Sequence, residues 1–248
     1  MSKGGVTIPD KGLLSARRGM RAPVEREIGG SERITNPKRQ SMRKPTNDEI
    51  DVLIAGNPLG LVMTMRHGEA LSTRLPLLLS RAEDPSGVIE GHFDASDPQV
   101  AILRSDPRAL VVFNGPGGYV SPSSLSGRDS APAWFHASLE FLVEIEFLDH
   151  RADALGSLVR LVRQFESRRE NGLAPAELER VCEPLLASVR PFRAWVLRVR
   201  ADLRLGEDLP PAAVRDSLAS LRQDGCHELA LMVEKQLREK DGRTAKAA

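Results

Sequence analysis

His92 is the residue whose type and neighbours most clearly suggest chemistry. It directly follows Gly91 in a mostly apolar segment, and Asp97 and Pro98 come shortly after it. A neutral imidazole is a common metal ligand in proteins. The other interpretation is a core histidine whose ring nitrogen is hydrogen-bonded to the backbone. The sequence therefore predicts either a metal-ligating or a structural histidine at this position.

Tyr119 and His136 are the two residues that could act on a substrate. Tyr119 is the only tyrosine in the chain and follows a glycine-rich segment, so its hydroxyl could donate a hydrogen bond or a proton. His136 lies beside Trp134 on the polar side of a long predicted strand. The alternatives are packing for Tyr119, surface exposure for His136 and a core role for Trp134. We predict catalytic roles for Tyr119 and His136, and we predict that Trp134 stacks on a flat cofactor.

An apolar strand at residues 110–113 runs into a glycine-rich segment that we predict to be a turn. Glycine has no Cβ and tolerates positive φ, so the backbone there can approach a ligand closely. Just beyond the glycines, serine hydroxyls and backbone amides could bind phosphate, although a plain polar loop explains these serines equally well. We predict that Gly115, Gly118, Ser121 and Ser123 bind a cofactor.

The first elements that would position these residues are a helix and a hairpin. Thr46 and Glu49 form a capping box before the helix. Residues 59–65 and 70–79 then predict the two strands of a hairpin, and Pro76 marks an edge or a bulge because proline cannot donate to a ladder. A third strand is predicted at residues 87–93, followed by a short helix that Asp97 caps and that begins at Pro98.

The clearest periodicity is the alternation of apolar and polar residues over 135–147, which predicts a long, half-exposed antiparallel strand. Amphipathic helices follow at 153–169 and 176–189, which we expect to cover one end of a barrel. A closing strand is predicted at 193–201, and helices at 210–224 and 227–240 form a terminal hairpin with Gly225 at the stop position. The fold class is therefore α+β, with a closed or partly closed, mostly antiparallel β-barrel and peripheral helices.

Charge is unevenly distributed along the 248 residues. Residues 1–44 carry 11 Lys/Arg against 4 Asp/Glu, a net charge of +7, whereas the remainder carries −6. We predict a flexible basic arm at 1–44, a barrel domain at 45–205 and a helical hairpin at 206–240 packed on the barrel. The arm is either a solvated tail or a contact for nucleic acid.

Cys182 and Cys226 are far apart and belong to no CxxC pattern, so the sequence predicts neither a disulfide framework nor a zinc site. No apolar run approaches the roughly 20 residues of a membrane span. We therefore expect a cytoplasmic protein. The sequence also lacks a Ser-His-Asp arrangement, a phosphate-binding P-loop and a paired-carboxylate motif.

Five motifs in order, between about residue 47 and about residue 233, resemble the PaiB-like family. This family includes FMN-binding negative transcriptional regulators and haem-dependent piperazate synthases, and its members have a flavin-reductase-like split β-barrel. The motifs are Arg-Leu-Pro-Leu at 74–77, Gly-His-Phe with Asp-Pro-Gln at 91–93 and 97–99, Val-Phe-Asn-Gly-Pro at 112–116, Tyr-Val-Ser-Pro at 119–122 and Ala-Pro-Ala-Trp at 131–134.

The chain departs from the family pattern where an FMN phosphate would bind. Arg74 and Gly117 stand where the family has histidines, and Ser124 and Leu125 replace an aromatic pair. These changes remove hydrogen-bond donors, for which Arg74 compensates in part. The resemblance implies that His92 is an axial haem ligand. We therefore predict haem b as the first choice of cofactor and FMN as the alternative.

The resemblance implies a redox enzyme, dependent on haem or flavin, that acts on a small nitrogen-containing metabolite and forms an N–N bond in one branch of the family. The alternative is an FMN-binding negative transcriptional regulator, for which nucleic acid would be a partner. No helix-turn-helix motif is visible, and a body of net charge −6 attracts phosphate weakly. A cofactor-free binding protein is the third reading. We also expect a homodimer, because relatives of this architecture build their cofactor pocket between two subunits.

Overall fold

The computed structural model describes residues 45–82, 84–125 and 131–247, with side chains to residue 239. The basic arm predicted at 1–44 lies outside the described residues. The strands are β1 (Leu59–Arg66), β2 (Glu69–Pro76), β3 (Leu78–Ser80), β4 (Val88–Asp94), β5 (Arg108–Val120), β6 (Ala133–Phe147) and β7 (Val189–Arg204). The helices are α1 (Asn47–Gly56), α2 (Pro98–Ser105), α3 (Arg151–Glu166), α4 (Pro175–Cys182), α5 (Pro211–Gln223) and α6 (His227–Ala247).

The seven strands form one antiparallel sheet in the order β2-β1-β5-β6-β7-β4-β3. Its two end strands, β2 and β3, are consecutive in the chain and are separated only by Leu77. Because one residue cannot span a flat sheet of this width, the sheet curls until its two ends meet. The ends do not pair with each other, so the barrel is split at Leu77. This confirms the predicted α+β split barrel.

The core lies inside the curled sheet and is built from the inward side of each strand. Its largest fully buried side chains are phenylalanines, one on each of four strands: Phe93, Phe113, Phe141 and Phe192. Leu77 is also buried here, at the point where the barrel is split. Since alternate residues of a strand face opposite sides, the neighbours of these residues point out of the barrel.

The capping predictions at both short helices are confirmed. Thr46 and Glu49 form the capping box of α1, and Asp97 accepts a hydrogen bond from the backbone N–H of Gln99 at the start of α2. Buried Gln99 also accepts a hydrogen bond from Thr64 and donates one to Thr73. This chain of hydrogen bonds ties α2 to the β1–β2 hairpin, so it explains the Asp-Pro-Gln motif as a structural element.

Four predicted boundaries were wrong. The glycine turn does not form: β5 continues through it, because Gly117 and Gly118 pair with β6, and only the register shifts between Asn114 and Gly117. The predicted strand 70–79 is divided at Leu77. The predicted helix 176–189 ends at Cys182 and continues as a short 3-10 helix, since Pro184 cannot donate the next helical hydrogen bond. The closing strand is longer than predicted and spans Val189–Arg204.

Two helical units flank the sheet. On β4, Glu90 points outward and forms a two-point ion pair with Arg160 of α3, so α3 lies on the outer side of β4 and not over an end of the barrel as predicted. The predicted terminal hairpin is confirmed as α5 and α6, with Gly225 at φ +78 between them. No helix within the described residues is long and apolar enough to cross a membrane.

Candidate functional site

His92 lies on the outward side of β4, opposite Pro191 of β7, and is half-buried. Burial lowers the pKa of its imidazole, because the charged form is poorly solvated there. Its Nδ1 atom is buried and has no hydrogen-bond partner among the described residues. The lowered pKa favours the neutral imidazole, which is the form that binds metals. The described residues contain no group of three or more metal-binding side chains.

The lowered pKa of His92 predicts a pH dependence of stability. The unfolded chain, with a histidine pKa of about 6.5, binds this proton more readily than the native state. The wild-type protein should therefore lose stability as the pH falls below about 6.5. His92→Gln removes the titrating group, so its free energy of unfolding should decline less between pH 7 and pH 5. Urea titrations at several pH values measure this difference.

The matched control for this experiment is His227→Gln, which changes an exposed histidine at the start of α6. The free energy of unfolding of His227→Gln should decline between pH 7 and pH 5 as that of the wild type does. An identical pH slope for His92→Gln and wild type would contradict the assignment of a desolvated, neutral His92.

Tyr119, Trp134 and His136 meet at the other end of the barrel, and we call them the aromatic cluster. Tyr119 pairs with Trp134 across β5 and β6, with ring centroids 6.4 Å apart, and the two residues are 48% and 61% exposed. His136 lies two residues beyond Trp134 on β6, and its Nε2 is 3.5 Å from a carboxylate oxygen of Asp202. A carboxylate beside one ring nitrogen orients the imidazole and leaves the other nitrogen for a proton.

Ser121 and Ser123 follow directly after β5. Their hydroxyls are 2.8 Å apart, and the Ser121 hydroxyl accepts a hydrogen bond from the backbone N–H of Ser123. Both hydroxyls thus already have a partner. They nevertheless lie at the same end of the sheet as the aromatic cluster, since β5 leads from Tyr119 into this segment.

The structure does not bring His92 to the aromatic cluster. On β7, His92 is opposite Pro191 and His136 is opposite Arg204. Thirteen residues of strand separate these two positions, which corresponds to about 40 Å along the strand. The residues that we predicted as one site therefore form two groups in a single chain.

Gly115 and Gly118 have a packing role that the sequence did not predict. A Cβ atom at Gly115 would lie 3.2 Å from Leu53 of α1, and one at Gly118 would lie 2.9 Å from Leu221 of α5 and 3.1 Å from Cys226. Protein side chains thus fill the space that a ligand would need. These glycines let helices pack closely on β5, which gives them a structural role; their contact with a cofactor stays a prediction.

The outward side of β1, β5 and β6 carries an apolar surface that the sequence analysis did not predict. Its five side chains are half-exposed, belong to no buried cluster, and lie next to one another in the strand register. We call this surface the apolar floor: Leu61, Met63, Leu110, Val112 and Leu142. The signal was in the sequence, because strands covered on both faces read as continuous apolar runs, as residues 110–113 do.

Arg74 borders the apolar floor. Arg74 lies on β2, the edge strand, where it is exposed and pairs with Leu61 of β1. Arg74 forms no hydrogen bond or ion pair within the part of the chain that the structure describes. Leu61 is in turn opposite Val112 of β5. Arg74, Leu61 and Val112 therefore form a row across β2, β1 and β5, in which neighbouring strands are about 4.8 Å apart. An unpaired arginine beside an apolar surface suits an anion attached to a flat apolar group.

Comparisons with known proteins identify the family of this chain. A family model described as "Putative FMN-binding domain" matches residues 38–198. "Protease synthase and sporulation protein PAI 2" of Bacillus subtilis is 27% identical over 167 residues, which cover 66% of this chain and 79% of the relative.

Two solved structures show similar folds. The crystal structure of a conserved hypothetical protein from Mycobacterium tuberculosis is 14% identical, with a TM-score of 0.50 over 68% of this chain and 92% of that protein. The structure of an FAD and haem binding protein from Mycobacterium smegmatis is 18% identical, with a TM-score of 0.48 over 71% and 78% of the two chains. The first of these likenesses supports the split-barrel fold.

Proposed function

Because this chain belongs to the PaiB-like family of FMN-binding domains, we propose that it binds FMN on the apolar floor and serves as a flavin-dependent redox protein. The observation that carries this proposal is the half-exposed floor next to Arg74, which has no partner among the described residues. The isoalloxazine ring is flat and largely apolar, and the phosphate is an anion. The apolar floor would bind the isoalloxazine ring, and Arg74 would bind the phosphate. This reverses the cofactor preference expected from the sequence motifs.

The other residues act around the bound cofactor. A bound flavin supplies electron or hydride transfer to a small substrate. His136, oriented by Asp202, accepts or returns the substrate proton, and the Tyr119 hydroxyl donates a hydrogen bond to the substrate. Trp134 lies beside Tyr119 and would cover the substrate and not the flavin ring on the floor. Ser121 and Ser123 lie at the edge of the ligand, where a bound polar group would replace the hydrogen bond between their hydroxyls.

We further propose a cytoplasmic homodimer. Five apolar side chains of the floor stay half-exposed in the single chain, and a flavin covers only part of such a surface. A second copy that packs over the floor would bury the remainder and enclose the cofactor. Both cysteines are free thiols, as is usual in a reducing compartment.

A haem-dependent enzyme is the second candidate, and His92 is the observation that favours it. Its imidazole is half-buried and its pKa is lowered, which favours the neutral form that binds iron as an axial ligand. Under this reading the substrate is a nitrogen-containing metabolite and the reaction an N–N bond formation. A regulator that binds nucleic acid is the remaining alternative, favoured by the +7 charge of residues 1–44. Salt-sensitive DNA binding that disappears without these residues would support it.

The absorbance spectrum of the purified protein tests the proposal. We expect a flavin spectrum, retained in His92→Ala. A Soret band that disappears in His92→Ala would instead establish the haem reading. A protein that stays colourless after incubation with either cofactor would contradict both.

Arg74→Ala should weaken FMN binding by about tenfold to a hundredfold, because a charge-assisted hydrogen bond to phosphate contributes roughly 1.5–3 kcal/mol. Riboflavin, which lacks the phosphate, should bind both forms equally. Fluorescence titration of each flavin measures these affinities. Arg66→Ala, which removes an exposed arginine at the tip of the β1–β2 hairpin, is the matched control and should leave both affinities unchanged. An equal loss of riboflavin and FMN affinity would show that Arg74 does not bind the phosphate.

A further inference from the structure

We propose that the outward side of β7 binds a nucleoside diphosphate at a second ligand site, next to the apolar floor and separate from the flavin phosphate. The residues are Trp195, Leu197, Arg198 and Arg200, which we call the β7 ledge. Trp195 would stack on the base and the two arginines would bind the phosphates. The ledge borders the floor, because Arg198 is directly opposite Leu142.

A bulge in β7 creates the ledge. Val143 of β6 pairs with Val196 and Leu142 pairs with Arg198, so Leu197 has no partner on β6. As a result Leu197 and Arg198 are adjacent in sequence and both exposed, and Leu197 is 50% exposed. Bulges re-aim side chains and are frequent beside binding sites. Here the bulge places an apolar side chain and a cation together on the surface.

Arg198 and Arg200 are free to bind an anion. Both are exposed, and neither forms a hydrogen bond or an ion pair with any residue that the structure describes. Arg193 on the same side of β7, by contrast, is bonded to Glu90. Residues two apart on a strand are separated by about 7 Å. With flexible side chains, this spacing lets two guanidinium groups bind neighbouring phosphates, for which the planar donors of arginine are well suited.

Trp195 provides an ordered aromatic surface beside the arginines. Its indole Nε1 donates a hydrogen bond of 3.1 Å to Glu146, and the residue is half-buried. This bond fixes the ring before any ligand arrives, so little side-chain entropy remains to be lost on binding. Stacking of a base on an aromatic side chain contributes roughly 1–3 kcal/mol. Base and phosphates would thus both meet a complementary group.

The competing explanation is that the arginines protect an open edge. Among the described residues, β4 pairs with β7 only as far as Trp195, so the strand has a free edge from Leu197 onward. Charged side chains at such an edge discourage pairing with other chains. This explanation accounts for the charges, but it gives no role to the exposed Leu197 or to the fixed ring of Trp195. It also predicts no affinity for nucleotides.

A single tryptophan serves as the reporter. The chain has two, so Trp134→Phe leaves Trp195 as the only one. In this background we expect adenosine diphosphate to quench the fluorescence saturably, and adenosine to bind more weakly. Replacing both Arg198 and Arg200 with alanine should weaken the binding of adenosine diphosphate by at least about tenfold. Equilibrium dialysis of adenosine diphosphate against the unmutated protein provides a second measurement that does not depend on the fluorophore.

Arg74→Ala separates this site from the flavin site. It should weaken FMN and leave adenosine diphosphate unchanged, whereas the double arginine variant should do the reverse. Binding of FMN is followed by flavin absorbance. Loss of binding at one site can therefore be detected independently of the other site. Absence of saturable nucleotide binding would overturn the proposal, and so would an unchanged affinity in the double variant. Loss of nucleotide affinity in Arg74→Ala alone would assign the phosphates to the floor and overturn it as well.

Discussion

Gly91→Val should lower the free energy of unfolding by about 3 kcal/mol or more, because the added side chain overpacks the core. A Cβ atom at Gly91 would lie 2.4 Å from Leu77 and 3.0 Å from the ring of Phe192. Leu77 also packs closely on Gly60, where an added Cβ would lie 2.5 Å from its other methyl group, so Leu77 has little room to move towards Gly60. Two glycines thus hold one leucine at the point where the barrel is split.

A double-mutant cycle tests this geometry. Leu77→Ala alone should cost about 2–5 kcal/mol, because it leaves a cavity. Combined with Gly91→Ala, its cost should be smaller than the sum of the two single changes, since the new methyl group fills part of that cavity. Gly56→Ala is the matched control, because no atom lies within 4 Å of its added Cβ. Strict additivity in urea unfolding would show that Gly91 and Leu77 do not compete for the same space.

If the proposed function is correct, Val112→Glu should abolish flavin binding, with at least about a hundredfold loss of affinity, and convert the proposed homodimer to a monomer. Val112 is at the centre of the apolar floor, and on the proposed function both the cofactor and the second subunit cover it. Burying an unpaired carboxylate there costs several kcal/mol. The barrel itself should remain folded, because Val112 points away from the core and is half-exposed.

Flavin absorbance after gel filtration and sedimentation velocity measure the two effects. Val52→Glu makes the same change on α1 at a residue that is 66% exposed, and it should alter neither flavin content nor mass. A dimer that retains its flavin in Val112→Glu would rule out the floor as the binding surface. A monomer with normal flavin content would retain the cofactor proposal and refute the shared interface.

The local elements of this chain could be predicted because their causes lie within a few residues. The capping box of Thr46 and Glu49 and the N-cap of Asp97 depend on side chains three or fewer positions away from the groups they bind. The alternation over 135–147 needs only the two-residue period of a strand. The family motifs then supplied the split barrel, which no periodicity in the sequence specifies.

The candidate site was harder to predict, because it depends on strand order and register. Gly115 and Gly118 read as ligand-contacting positions, yet Leu53 and Leu221, from distant parts of the chain, occupy that space. The floor has the same origin, since its members come from β1, β5 and β6 and become neighbours only when these strands pair in this register.

The sequence by itself determined the helix caps, the long alternating strand, the terminal helical hairpin and, through its motifs, the PaiB-like split barrel. Only the tertiary structure decided that His92 and His136 face β7 at positions thirteen residues apart, that Arg74 borders an apolar surface, and that β7 bulges at Leu197. The physical reason is the distance along the chain over which each interaction acts. Caps and alternation follow from short-range backbone geometry, whereas the register of a curled sheet depends on packing between residues far apart in the chain.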